Sequence, residues 1–282
     1  MSDAGPLDIR ELHAMADLDA ICRLYAGIWG TEPDNAPISA EVMRALSHAG
    51  NYVAGAYEGG RLVGASVGFF ADPAGSTLHS HITGAVAGRG IGLALKHHQR
   101  GWALARGLTR ITWTYDPLIR RNAHFNLVKL GALPEEYLPS FYGEMDDAIN
   151  GGDESDRVLA AWDLTVPPPA AAPGGGFARA VPADAVHGVR DRRGRPELGS
   201  LDAPVVLIGL PEDIEGLRRK DSAAAHAWRL AVRHTLGDLL DQGARVVGFD
   251  ARSGYVVRRA PRPAPAPSAP SISPRTSNRS QL

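Results

Sequence analysis

Hydrophobic positions along the chain change period several times, and each change marks an element. Leu18, Ile21, Cys22, Tyr25 and Ile28 recur at helical spacing, which predicts a helix over 15–28 closed by Trp29 and Gly30. Ser39 can cap a second helix over 40–47 by accepting from its free N–H groups. The period then drops to two. Segments 51–57 and 62–70 read as strands joined through Glu58-Gly59-Gly60, with Val63, Ala65, Val67 and Phe69 on one face. A short strand over 6–12 precedes them, and another over 77–83 follows. In the latter, alternation puts His79 and His81 on one face and Leu78, Ser80 and Ile82 on the other. Ile91, Leu95, His98 and Trp102 return to helical spacing over 91–106, and Ile111, Trp113 and Tyr115 share one face of a strand over 110–115. Asp116-Pro117 ends that strand, and a helix over 121–130 stops at Gly131. Strand–helix–strand–helix order at 77–130 fits a mixed α/β sheet.

Beyond this point the pattern thins. A short strand over 138–144, a polar loop over 146–156 and a strand over 157–165 complete a first unit. Segment 166–176 is rich in Pro, Ala and Gly and reads as a linker. A smaller α+β unit over 177–260 follows, with a strand over 205–210, a short helix through 219, a long helix over 221–242 and a hairpin over 245–258. From Pro261 to Leu282 the chain is dominated by Pro, Ala and Ser, which predicts a disordered tail.

Composition narrows the function classes. The 282 residues carry 30 basic and 31 acidic side chains, so neither a nucleic-acid nor a strong membrane-surface footprint is expected. The single cysteine, Cys22, excludes an internal disulfide and a cysteine-rich metal site, and it falls in the apolar phase of its helix. No apolar run reaches spanning length, and the N-terminus lacks the sections of a signal peptide. A soluble cytoplasmic protein is the expectation.

The candidate chemistry centres on Ala87-Gly88-Arg89-Gly90-Ile91-Gly92, between a strand and a strong amphipathic helix. Glycines there let the backbone turn and approach a ligand closely, and free N–H groups at a helix start can hold phosphate oxygens. No Lys-Ser or Lys-Thr pair follows, as a Walker loop requires, and the next strand ends in Asp116-Pro117 instead of an acidic residue placed where the ribose of a dinucleotide would need one. A different pyrophosphate-bearing ligand remains, beside the plain reading of a turn. His79 and His81 fit packing, acid–base duty or, with a third ligand, a metal.

Together with this loop, Leu78-His79-Ser80-His81, Ile111-Thr112-Trp113-Thr114-Tyr115-Asp116-Pro117, Arg121-Asn122-Ala123 and Phe141-Tyr142-Gly143 resemble the GNAT superfamily of acetyltransferases. More narrowly, they resemble a bacterial branch of predicted GNAT acetyltransferases. The resemblance covers about residues 7–165 and extends, less closely, to about 259. It implies a GNAT-type mixed central sheet with flanking helices, antiparallel strands first and then a splayed parallel pair that admits pantetheine. It implies acetyl-CoA or another acyl-CoA as cosubstrate, no metal, and transfer of a short acyl group to an amine of a small-molecule acceptor. A homodimer is compatible with it. Val86, Gly88, Arg89, Gly90, Ile91, Gly92 and Asn122 would then hold the coenzyme. Trp29, Glu32, Trp113, Tyr115 and Asp116 would border the acceptor. His81, His79 and Tyr142 would move protons.

Two departures from the family pattern matter. The loop begins with Ala87 where Arg or Gln is usual, and Leu127 stands where a tyrosine acid is usual. Another coenzyme A chemistry, such as thioester decarboxylation or O-acylation, and a binding protein that has lost catalysis are the competing expectations.

Overall fold

The computed structural model describes residues 6–30, 37–143, 153–167 and 181–260. Glu32, most of the expected linker and the expected tail lie outside these residues. The described chain forms two sheets with flanking helices. A seven-stranded mixed sheet has the order β1-β2-β3-β4-β5-β7-β6, built from β1 (Asp8–Glu11), β2 (Tyr52–Glu58), β3 (Arg61–Ala71), β4 (Thr77–Ala85), β5 (Arg110–Tyr115), β6 (Leu133–Leu138) and β7 (Arg157–Asp163). All neighbours in it are antiparallel except β4 and β5. Those two are joined by a crossover helix, α3 (Ile91–Leu104), as a parallel pair requires.

Helices α1 (Met15–Trp29) and α2 (Ala40–His48) cover one face. Leu18, Ile21 and Tyr25 of α1 and Met43 of α2 pack with Val53, Ala65 and Val67 of the sheet. Ser39 caps α2 as expected, its hydroxyl accepting from the Val42 amide. On the other face α3 seats Ile91 and Leu95 against Ala56 and Val63. Gly64 lies beneath that contact, where an added Cβ would sit 2.7 Å from the Ile91 side chain. The helix after β5 opens as α4 (Arg120–Ala123) and continues as a π-helical segment, His124–Leu130, closed by Gly131 at φ +75°.

The second sheet has the order β11-β12-β10-β8-β9, from β8 (Val186–Arg192), β9 (Arg195–Leu198), β10 (Val205–Ile208), β11 (Arg245–Asp250) and β12 (Gly254–Arg258). Its helices are α5 (Ile214–Lys220), α6 (Ser222–Val232), a π-helical Arg233–Gly237 and α7 (Asp238–Asp241). The single helix expected over 221–242 is therefore interrupted by a π segment. One apolar core spans both sheets, with Tyr115, Leu127, Leu130 and Tyr137 from the first side and Trp228, Leu236, Phe249 and Tyr255 from the second.

Further expectations change. Val63 does not share the face of Ala65 and Val67, because it is an extra residue in β3 between Leu62 and Gly64 and packs with α3 instead. The strand placed at 138–144 lies instead at Leu133–Leu138, where Pro134 and two glutamates break the alternation at a bulged sheet edge. The β8–β9 hairpin was not legible, because charged residues interrupt its apolar alternation; Arg190–Glu197 and Arg192–Glu197 pairs hold it. Ile82 is not on the face of Ser80. Val67 pairs with Ile82 and Gly68 with Ser80, so His81 is an extra residue in β4. That bulge resets the alternation, and Ile82 packs toward α1 and α2.

Candidate active site

The β4 bulge has a larger consequence. Strands β4 and β5 pair only at Thr77↔Arg110, Leu78↔Ile111 and His79↔Thr112. Beyond His79 the bulged strand continues along β3 to Ala85, while β5 is held straight along its length by β7. A bulge bends its strand, so the two part company. The result is a cleft of about 600 Å³ between the facing edges of β4 and β5.

The glycine loop forms one end of this cleft. Gly88 and Gly90 have φ of +86° and +71°, a region L-residues avoid, and Gly90 leads directly into α3. The first intrahelical bond runs from the Ala94 amide to the Gly90 carbonyl, so the amides of Ile91, Gly92 and Leu93 have no partner within the helix. An added Cβ at Gly88, Gly90 or Gly92 would meet nothing within 4 Å, so the space above the loop is open to a ligand. Val86 is exposed at the rim, and Asn122 lines the cleft from α4. Arg89 reaches Glu58 at 2.6 Å instead of standing free. None of the described residues lining the cleft is acidic, whereas Lys96 and Lys129 both line it. Such a cavity favours an anion.

The cleft floor holds groups that sequence reasoning passed over. Lys96 of α3 is buried, 4% exposed. Its ammonium donates to Ser80 Oγ at 2.8 Å and Gln99 Oε1 at 3.4 Å and lies 3.9 Å from the Trp113 ring centroid. Gln99 in turn donates to Ser66 Oγ, which shares a 2.8 Å bond with Thr83. Burial pulls the Lys96 pKa down to about 7. Asn126, also buried, accepts from Trp113 Nε1 at 3.2 Å. In the sequence Lys96 and Gln99 sit in a polar run, Lys96-His97-His98-Gln99-Arg100, that reads as a solvated helix face; only the packing reveals their burial.

The two histidines do share a face, toward α2, both ringed by Phe69. His79 Nδ1 is 3.1 Å from Thr112 Oγ1, and burial, then His81 and Lys96, lower its pKa to about 4. His81 is also lowered, by burial. It lines both the β4–β5 cleft and a second cavity formed by Pro37, Ile38, Ser39, Val42, Leu46 and Phe69. Tyr142 is exposed at the margin, its hydroxyl 3.5 Å from Thr114, which lines the cleft. Leu127 is fully buried in the core.

The remaining candidates are spread more widely. Trp113 and Tyr115 line the cleft, but the Tyr115 hydroxyl lies 3.2 Å from the Tyr255 hydroxyl of the second sheet. Asp116 is turned away into an ion-pair cluster, with Arg218 at 2.6 Å and Arg229 at 3.0 Å. Trp29 packs edge-on against Tyr25 and over Gly84. Among the described residues no group of three or more His, Cys, Asp or Glu could hold a metal, and no helix is long and apolar enough to cross a membrane.

No family model matches the chain, and no curated protein matches it. Solved structures do. An acetyltransferase of the GNAT family from Streptococcus pneumoniae aligns at 15% identity and TM-score 0.43 over 55% of this chain and 98% of its own. An N-acetyltransferase from Staphylococcus aureus Mu50 aligns at 18% identity and TM-score 0.47 over 57% and 99%. The structure of yncA from Salmonella typhimurium, with its cofactor acetyl-CoA, aligns at 17% identity and TM-score 0.46 over 57% and 95%. Each score lies below 0.5, and nothing about substrate or activity passes from these proteins to this chain.

Proposed function

We propose that this protein takes an acyl-CoA into the β4–β5 cleft and moves the acyl group to an amine that enters from the α2 side. The observation that carries the reading is the cleft itself: it begins at the free amides of the glycine loop, contains no described acid, and ends at His81, which also lines the cavity beside α2. The amides of Ile91, Gly92 and Leu93 would hold the pyrophosphate. The strand edges of β4 beyond His79 and of β5 at Trp113–Tyr115 have no ladder partner across the cleft, so their backbone groups are available to an extended pantetheine arm. His81, kept neutral by burial, would accept the proton that the amine loses.

Release of free coenzyme A from several acyl donors, measured with and without a panel of amines, tests the reading. Amine-dependent release is expected. Release without any amine points to thioester cleavage instead, and acyl-CoA binding with no release points to a binding protein.

A further inference from the structure

Transfer of an acyl group from a thioester to an amine leaves a thiolate that needs a proton. The residue at the expected acid position, Leu127, is fully buried and has none to give. Tyr142 stands at the exposed margin, outside the residues that line the cleft. Lys96 projects from α3 to the point where β4 and β5 part. It touches Ser80 and Trp113, one on each parting strand and both lining the cleft. We propose that Lys96 is the acid that protonates the departing thiolate. The inference rests on the acyl-CoA reading of the cleft.

The surroundings of Lys96 suit that task. Its nitrogen has a hydroxyl, an amide oxygen and an aromatic face around it, all neutral. No carboxylate lines the described cleft, so no ion pair holds the proton on the nitrogen. The titratable groups sharing its surroundings are His79 and His81 from β4, Tyr115 from β5, whose phenol burial holds above its usual range, and Lys129 from the π-helical segment. Its pKa, pulled down to about 7, matches an acid that must give up its proton and recover it near neutrality. The Gln99–Ser66–Thr83 chain fixes the Gln99 amide so that its oxygen faces Lys96.

The proton balance is complete. The amine nitrogen forms the C–N bond as the C–S bond breaks, and its proton passes to His81. The ammonium of Lys96 gives one proton to the thiolate and becomes a neutral amine. Solvent then removes a proton from His81 and returns one to Lys96, leaving an amide and free coenzyme A.

Lys96→Met and Lys96→Gln test this, with acyl-CoA affinity by calorimetry and single-turnover coenzyme release across pH. Both variants should bind acyl-CoA within about threefold of the parent and release coenzyme about 100-fold or more slowly, the scale of one lost acid. The parent's rate should fall as pH rises through about 7, where the acid loses its proton, and both variants should lack that fall. A folded, acyl-CoA-binding variant with the parent's rate and pH profile overturns the assignment while leaving the acyl-CoA reading intact. Failure of the parent to bind acyl-CoA overturns both. A side-chain ¹⁵N titration of the parent is the independent check: a Lys96 nitrogen that titrates as an exposed lysine does, near pH 10.4, also overturns the proposal.

Discussion

Lys96 and Arg229 are both buried cations, yet the chain surrounds them in opposite ways. Arg229 has no exposed side-chain surface and meets Asp116 at 3.0 Å and Asp153 at 3.0 Å. Arg218 joins the same carboxylate of Asp116. Beside them Arg233 pairs with Glu154 and Asp156, and Tyr137 donates to Asp156 at 2.7 Å. This network ties the end of β5 to α5 and α6, together with the Tyr255 hydroxyl on the Pro117 carbonyl and Arg120 on the carbonyls of Leu210 and Ala251. Lys96 has only neutral partners. Desolvating a charge is costly, and a paired charge recovers much of that cost while an unpaired one does not. The compensated cluster therefore reads as fixation of the second sheet against the first. The uncompensated lysine reads as a group kept ready to change protonation.

The largest effect is expected from breaking the compensated cluster. Asp116→Ala removes the carboxylate that Arg218 and Arg229 share, leaves Asp153 to face both guanidinium groups, and should cost about 3–5 kcal/mol, read by denaturant unfolding. Burial alone would raise the Asp116 carboxyl. Arg229 and Arg218 overcome that and hold it well below the usual carboxylate range. A depressed carboxyl stabilises the fold above its unfolded pKa and loses that contribution only as pH falls through the folded value. The gap between parent and variant should therefore stay constant from neutrality down to about pH 4 and narrow in stronger acid.

Lys96→Met sharpens the contrast, because its sign is reversed. For a base whose folded pKa is depressed, the unfolded chain holds more protons between the folded and unfolded values, so stability rises with pH across that window. The parent should gain stability between about pH 7 and about 10.5, and the variant should not. At neutral pH the variant should be at least as stable as the parent, because it carries no charge to desolvate. Loss of stability in Lys96→Met would place Lys96 with the structural cations.

Smaller effects are expected at the loop. Gly90→Val forces a β-branched residue to φ +71° at a cost of about 1–3 kcal/mol, and its side chain enters the space a pyrophosphate would need. Calorimetry should find acyl-CoA affinity lost in a variant that still folds. Arg89→Ala removes a half-exposed pair with Glu58 and should change thermal stability by less than about 1 kcal/mol.

Much of the frame was legible because period and glycine placement carry it. The edges of β5, the register of α1 and the loop leading into α3 follow from residues whose spacing admits few alternatives. What escaped was set by tertiary contact. Nothing in the sequence marks His81 as an extra residue in β4, since its pairing depends on where Gly68 and Val67 fall on the neighbouring strand. Asp116 before Pro117 fits a turn, and its Leu118 amide bond is that of a turn, but its two arginine partners come from more than a hundred residues downstream. Lys96 looks solvated until Ser80 of β4 and Trp113 of β5 pack against its ammonium. Charged residues interrupt the apolar alternation of the β8–β9 hairpin.

The most direct test is a crystal structure with coenzyme A bound. The account predicts the pyrophosphate on the amides of Ile91, Gly92 and Leu93, the pantetheine arm between the parted edges of β4 and β5, and the thiol within hydrogen-bond reach of the Lys96 nitrogen. Coenzyme bound elsewhere, or a cleft that stays empty at saturating coenzyme, would contradict it.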